Sequence, residues 1–421
     1  MKRLGVVGTA LITANILGIL FLAIVARYID PDDNARFIAI WGLLFAGASI
    51  VSFIEQETAR QVVVSSTRGR DIPRSVIQIF FVALIPIIIG MVLIGLSSLG
   101  IPYFGQSVLR RLGFIALICA ALIGLAVQFL YRGIFLGSKK DSEYAVIIVG
   151  ESSLRILALL ALALIFSFTV ETAVYAMAAG SLAWLLLGKR NLHISYDSAE
   201  YWTWNKVIST VTLMCMANGF VSLLLTGYPA LVTIVIGSTK GLAEFFSIVT
   251  VSRMPLVLLS PVQALVVPYV TSLIVSGRKR DLTRLVNLGI VWTLAGMLTL
   301  FIAGYYLGPL AIRIIFGANY IVDALPVALV FATTALIAAS LLQAATLLSL
   351  QCYKSIVCSW GFSVFAAICT MLLVDGGTES KAMYGFVAAS IVAYFLFVGF
   401  LYAELIKKTQ SEAPRTGKSR N

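Results

Sequence analysis

Apolar runs of spanning length recur from one end of the chain to the other, separated by short polar breaks. A helix needs about 20 apolar residues to cross a bilayer, and inside the hydrocarbon every backbone N–H and C=O must be satisfied within the segment. The runs fall at 4–26, 37–54, 76–97, 112–131, 144–167, 172–188, 207–237, 243–274, 285–308, 324–350, 356–374 and 382–405. They predict an all-α polytopic membrane protein with about twelve transmembrane helices. The seventh and eighth runs are long for a core of about 30 Å. They also contain Gly227, Pro229, Pro255, Pro261 and Pro268. A break or kink is expected in each, because proline removes a backbone donor.

Composition supports this reading. Of 421 residues, 60% are hydrophobic and 12% charged, against about 45–50% and about 25% in soluble domains. This excludes a disordered chain, a coiled coil, an ordinary soluble enzyme and a soluble domain on one anchor. The net charge of +12 belongs to the positive-inside rule rather than to nucleic-acid binding. Met1-Lys2-Arg3 precedes more than twenty largely apolar residues, so the N-terminus is read as a retained first helix rather than a signal peptide. The five cysteines form no CxxC pair, and His193 is the single histidine. That set suits packing better than metal binding. There is no GxxxxGK[ST] phosphate loop, and no large outer loop to house an envelope-synthesis enzyme. Neither a cofactor nor a metal is called for, and the chain reads as a non-enzyme. Asp30-Pro31-Asp32-Asp33 reads as a turn and helix start.

With the N-terminus inside, the inner segments hold 22 of the 31 basic residues and the outer segments seven. Both termini, and the polar segment 189–206, are therefore expected on the cytoplasmic side. The chain divides into an N-terminal six-helix lobe at 1–190, a cytoplasmic linker at 191–206, a C-terminal lobe at 207–406 and a basic tail at 407–421. The tail is expected to lie disordered near anionic headgroups. Arg68-x-Arg70-Asp71-x-x-Arg74 recurs as Arg278-x-Arg280-Asp281-x-x-Arg284, 210 residues on, and Ala14-Asn15 recurs as Ala217-Asn218. Six spans per half keep the two repeats in one orientation, related by a pseudo-two-fold along the membrane normal.

Ionisable residues at membrane depth are the candidates for chemistry, because they are unfavourable there. Glu151 and Arg155 lie four apart on span five and share a helix face. Arg155 is about 16 Å along that span. Arg253 is about 15 Å into span eight, with no acid at helical pairing distance and Pro255 two residues on. It must face a cavity, a carboxylate of another span, or freed carbonyls. Glu55, Glu57 and Arg60 close span two at the inner interface, where snorkelling is the plain reading. Arg27, at the outer end of span one, and Arg132, at the inner end of span four, share it.

The segment Ala26-Arg27-Tyr28-Ile29-Asp30-Pro31-Asp32-Asp33-Asn34-Ala35-Arg36-Phe37 resembles the opening of Wzx-like polysaccharide flippases. These belong to the multidrug/oligosaccharidyl-lipid/polysaccharide (MOP) exporter superfamily. Arg132-Gly133-Ile134-Phe135-Leu136-Gly137, continuing through Tyr144 to Arg155, is similar to that family's "RG-x-x-x-G…y" segment. Glu55-Gln56-Glu57 with Arg60, and Arg253-Met254-Pro255 followed by Val267-Pro268, resemble it more weakly. Asn34-Ala35-Arg36 departs from the glycine often found there. The resemblance implies a MATE-like architecture of two six-helix lobes and translocation of a lipid-linked oligosaccharide on a polyprenyl pyrophosphate across the bacterial cytoplasmic membrane. The implied partners are that glycan, membrane lipids and other polysaccharide-assembly proteins, with no nucleic acid. Arg253, Arg155, Glu151, Arg60, Glu57, Glu55, Arg27 and Arg132 are the candidate cavity residues. The rivals are a H⁺- or Na⁺-coupled multidrug antiporter, which wants membrane carboxylates that spans one and seven lack, and a membrane enzyme or scaffold of envelope assembly.

Overall fold

The structure is a computed structural model of the chain. It describes residues 2–29, 37, 40–41, 44–45, 47–67, 72–97, 108–187, 194–195, 202–225, 227–236, 242–316 and 322–410. The acidic turn Asp30–Asp33, the motif residues Arg68, Arg70 and Asp71, most of the linker and the tail beyond Gln410 lie outside these residues.

The described chain is helical apart from two short strands. Its helices are α1 (Lys2–Tyr28), α2 (Phe53–Thr67), α3 (Arg74–Ser97), α4 (Val108–Gly137), α5 (Asp141–Ile165), α6 (Val170–Ala179), α7 (Trp204–Leu225), α8 (Tyr228–Ile236), α9 (Leu242–Ser252), α10 (Met254–Val275), α11 (Lys279–Phe316), α12 (Ala324–Ser349), α13 (Tyr353–Leu373) and α14 (Thr378–Gln410). Helix α6 runs on as a 3₁₀ helix, Gly180–Leu187. Among the described residues, nine helices are long and apolar enough to cross a membrane. They become ten if the bent pair 247–256 and 261–275 is one span. Of the other expected spans, 76–97 falls within α3, and 37–54 is only partly described.

The two long runs break near their Gly and Pro residues. Span seven stops at Leu225 and restarts at Tyr228, around Gly227. Span eight turns at Arg253, so Pro255 falls in the first turn of α10, where its missing N–H has no helical partner to lose. Pro261 and Pro268 lie inside α10.

Contacts divide the chain into two compact units. Unit 1 is Met1–Ser222 with Val257–Val275, and unit 2 is Leu223–Leu256 with Ser276–Asn421. In unit 1, α4 packs against α2, α3, α5 and the 3₁₀ helix, and α1 packs against α5. In unit 2, α12 packs against α11, α13 and α14 and is the most enclosed of the spans found among the described residues.

Strand β1 (Ile72–Pro73) pairs in parallel with β2 (Ile194–Ser195), Ile72 opposite Ile194. This brings the loop after span two and the linker after span six to the same end of unit 1.

The α4–α5 and α12–α13 connections share one geometry. Lys139 and Gln351 both adopt positive φ, at 60° and 63°. In each connection the next amide reaches back five residues: Lys140 N–H donates to Phe135 O at 2.8 Å, and Cys352 N–H to Leu347 O at 2.9 Å. Both cap carbonyls left free at a helix end. The two turns are separated by nearly the same interval as the repeated loops, so the loop repeat has a counterpart in backbone geometry. The asparagines do not behave alike. Asn15 Nδ2 donates within its own helix to Leu11 O, whereas Asn218 Nδ2 donates to Ser49 O and Ser52 Oγ.

Candidate functional site

Two glycines set the geometry of the main charged cluster. A Cβ on Gly133 would lie 2.5 Å from the carbonyl oxygen of Glu55, and one on Gly137 would lie 2.8 Å from that of Ala59. Small residues at this spacing let α4 lie directly on α2. Arg132, beside Gly133, thereby reaches the carboxylate in the first turn of α2.

Arg132 Nε lies 3.0 Å from Glu55 Oε2, and Nη1 lies 3.8 Å from Glu151 Oε2. Arg155 Nη2 donates to Glu151 Oε1, one turn earlier on α5. Tyr144 Oη donates to Glu55 Oε1 at 2.9 Å. The row Tyr144–Glu55–Arg132–Glu151–Arg155 crosses α2, α4 and α5 and alternates in sign. Two carboxylates balance two guanidiniums, which is how charges persist away from water. Aromatic faces cover the cations. Arg132 sits 5.3 Å from the Phe129 ring and 5.7 Å from Tyr144, and Arg155 sits 5.0 Å from Phe45 and 5.5 Å from Trp41.

Glu57 and Arg60 form a separate pair on α2. Arg60 Nε donates to Glu57 Oε2 at 2.9 Å, and Gln61 Nε2 donates to Glu57 Oε1 at 2.8 Å. Ser75 Oγ donates to Gln61 Oε1 at 2.6 Å and ties the set to the start of α3. The sequence suggested snorkelling at an interface. Instead both side chains are buried within unit 1, at 0% and 3% exposure, because their charges satisfy each other. Arg27 stands apart, exposed in the last turn of α1.

Arg253 belongs to unit 2 and occupies the turn between α9 and α10. Of its three possible fates, the freed carbonyl is the one observed. Nη2 donates to Leu224 O at 3.1 Å, among the last-turn carbonyls of α7 that have no helical donor. Cζ lies 5.9 Å from the Phe386 ring. Tyr228 meets Phe386 edge-on at 5.2 Å and donates from its hydroxyl to Ala382 O at 2.7 Å. Among the described residues no carboxylate pairs with Arg253, and its Nε is buried without a partner. Unit 1 thus has a balanced network, while unit 2 carries a cation that no described acid balances.

The structure also brings in residues that a search for charges alone passes over. Gln128 is fully buried on α4 and donates from Nε2 to Gly180 O at 2.7 Å. Its sequence signal is a lone amide in the run Leu125-Ala126-Val127-Gln128-Phe129-Leu130. Gly180 packs against Arg155: a Cβ there would lie 2.6 Å from Arg155 Cγ. Among the described residues no group of three or more His, Cys, Asp and Glu could hold a metal.

Comparison with solved structures decides the architecture. An outward-facing multidrug resistance MATE family transporter of the MOP superfamily superposes with a TM-score of 0.71 at 13% identity, over 98% of this chain and 97% of that one. The fold is MATE-like. A MATE structure in the bent conformation gives 0.73 at 13% identity over 97% of both chains. A MOP superfamily transporter from Pyrococcus furiosus, described by the reverse polarity of its binding pocket, gives 0.69 at 12% identity over 96% of both. No protein-family model matches the sequence, and no curated protein does. At these identities the MATE-like likeness establishes the all-α membrane fold and leaves the substrate to the side chains.

Proposed function

We propose that this protein is a transporter of the MOP superfamily that translocates a lipid-linked oligosaccharide, carried on a polyprenyl pyrophosphate, from the inner to the outer leaflet of a bacterial cytoplasmic membrane. The observation that carries the reading is Arg253, a largely enclosed guanidinium at a break in a membrane span, with no carboxylate beside it among the described residues. A charge in that position calls for an anion, and a pyrophosphate accepts the planar fork of Arg bidentately. Outward movement of a negative charge is favoured by an inside-negative potential, by about 2.3 kcal/mol per charge per 100 mV. The rival, a cation-coupled drug antiporter, requires a carboxylate free to bind a cation. Glu55 and Glu151 already face Arg132 and Arg155, which favours the anionic substrate.

The test is a flipping assay in proteoliposomes. Wild-type protein is expected to move a polyprenyl-pyrophosphate glycan and not a neutral glycolipid. Arg253→Ala is expected to abolish transport per folded molecule, and Arg253→Lys to restore it in part, because lysine keeps the charge but loses the fork. Wild-type turnover by the Ala variant removes Arg253 from the site. Transport of cationic drugs with no movement of the pyrophosphate lipid selects the antiporter.

The proposed orientation puts both termini and the linker in the cytoplasm, as the charge asymmetry asks. The β1–β2 pair adds support, because it gathers two of the expected inner segments at one end of unit 1. A cysteine introduced at Asn191 is expected to resist membrane-impermeant labelling of intact cells and to react once they are opened. Labelling from outside reverses the orientation.

A further inference from the structure

The second copy of the basic motif, Arg278 to Arg284, has no part in the charged clusters described above. Helix α11 starts inside it, at Lys279. The acid of the motif is used locally: Arg278 Nε donates to Asp281 Oδ2 at 2.6 Å. Arg280 and Arg284 are then left four residues apart, on one face of the helix. Both are exposed, and among the described residues neither forms an ion pair. Asn287, the next polar residue, is occupied by α14: its Oδ1 accepts the Tyr402 hydroxyl at 2.5 Å.

Beyond Asn287 the same side of α11 is apolar and open. Leu288, Val291, Trp292, Leu298 and Ile302 continue the line of the two arginines at helical spacing, and all are exposed. The opposite side carries the buried Leu282, Val286 and Thr293, with Gly304 and Gly308 set against Phe331 and Val327 of α12. In the apolar stretch of this span 6% of the residues are buried, against 22–72% in the other eight spans found among the described residues. From Leu285 to Ile312 no residue is charged. The next cation, Arg313, is exposed and returns to the face of Arg284. It lies 29 residues on, about 44 Å along the helix. A bilayer with its headgroups is about 40–45 Å thick. Arg284 therefore lies in one headgroup layer when Arg313 lies in the other, and the face between them crosses the hydrocarbon.

We propose that this face of α11 binds an anionic phospholipid, with the headgroup on Arg280 and Arg284 and an acyl chain along Leu288, Val291 and Trp292. Two exposed cations without an acid beside them call for a negative charge, and a zwitterionic headgroup has none to spare. Arginine also presents its planar fork to the oxygens of a phosphate. In the orientation proposed above, the lipid belongs to the inner leaflet. The site does not depend on which substrate the protein moves, so it can fail while the flippase reading stands, and the reverse.

Full-length protein is placed in phosphatidylcholine nanodiscs that contain a minor fraction of phosphatidylglycerol. In one sample the phosphatidylglycerol carries mid-chain bromine, and in the other an equal amount of the phosphatidylcholine does. Bromine quenches tryptophan only at short range. Trp292 is 68% exposed and about 12 Å along the helix from Arg284. Subtracting the signal of Trp292→Phe isolates it from the other tryptophans. Brominated phosphatidylglycerol is expected to quench Trp292 at least about threefold more than brominated phosphatidylcholine, because each arginine near the surface favours an anionic lipid about fivefold. Arg280→Gln with Arg284→Gln is expected to bring that ratio to about one, and Arg280→Lys with Arg284→Lys to keep it, since the charge is retained. Equal quenching in the wild type, or a preference that survives the Gln pair, overturns the proposal and leaves the arginines to an acidic protein partner or to topology alone. If the Gln pair fails to insert, salt makes the same test on the wild type. Raising it from about 0.1 M to about 1 M shortens the screening length from about 10 Å to about 3 Å and is expected to remove most of the preference. A preference unchanged by salt overturns the proposal.

Discussion

Arg132→Met is expected to cost about 3–5 kcal/mol, because removing one partner of a buried ion pair strands the others. Arg132 is the one cation of the row that faces both carboxylates, 3.0 Å from Glu55 and 3.8 Å from Glu151. Among the described residues, its loss leaves Glu55 with the Tyr144 hydroxyl at 2.9 Å and leaves Glu151 to Arg155. The measurement is melting temperature in detergent, with the yield of monodisperse protein beside it. The double variant Arg132→Met with Glu55→Gln is expected to be more stable than Arg132→Met alone, because the stranded charge is gone. That recovery separates a charge effect from lost packing of the arginine stem. If Arg132→Met melts with the wild type, the row does not hold α2, α4 and α5 together.

Gly133→Val is expected to prevent normal folding. The first atom of the new side chain already lies 2.5 Å from the Glu55 carbonyl and 2.7 Å from Thr58 Cβ, and backbone cannot yield as a flexible side chain does. Overpacking alone costs about 1–3 kcal/mol. Pushing α2 off α4 also separates Arg132 from Glu55, which adds the cost of a broken buried pair. Gly289→Ala in α11 is the control, since nothing lies within 4 Å of its added Cβ. Ala is the better helix former there by about 1 kcal/mol, so its melting point is expected to match or exceed the wild type. Wild-type stability in Gly133→Val would mean that α2 and α4 do not approach as described.

The two variants bear on what was legible beforehand. Glu151 and Arg155 pair as their four-residue spacing implies, because one helix turn fixes that distance whatever surrounds it. The partnership of Glu55 with Arg132 lies 77 positions apart in the sequence and has no periodic signature. It exists because Gly133 and Gly137 bring two helices into backbone contact. Glu57 and Arg60 illustrate the converse. Their spacing announces the pair, but only the packing of α2 shows that both side chains are enclosed by protein. Gln128 has no charge or periodic signature in the sequence, because a single uncharged amide within an apolar run adds neither. Its importance appears once Gly180 and Arg155 stand beside it.

By itself the sequence determined that this chain is helical and crosses a membrane many times. That follows from local chemistry, since apolar runs of spanning length admit only structures that satisfy their own backbone. It also placed the interruptions near Gly227 and Pro255, because glycine and proline act within a turn of their own position. Tertiary structure alone decided which charges meet. Burial and pairing depend on helices distant in sequence, on a glycine small enough to admit a neighbour, and on where a helix end leaves a carbonyl free. Arg253 shows both sides. The sequence marked it as a charge that needs a partner, and the fold supplied the carbonyl of Leu224 rather than an acid.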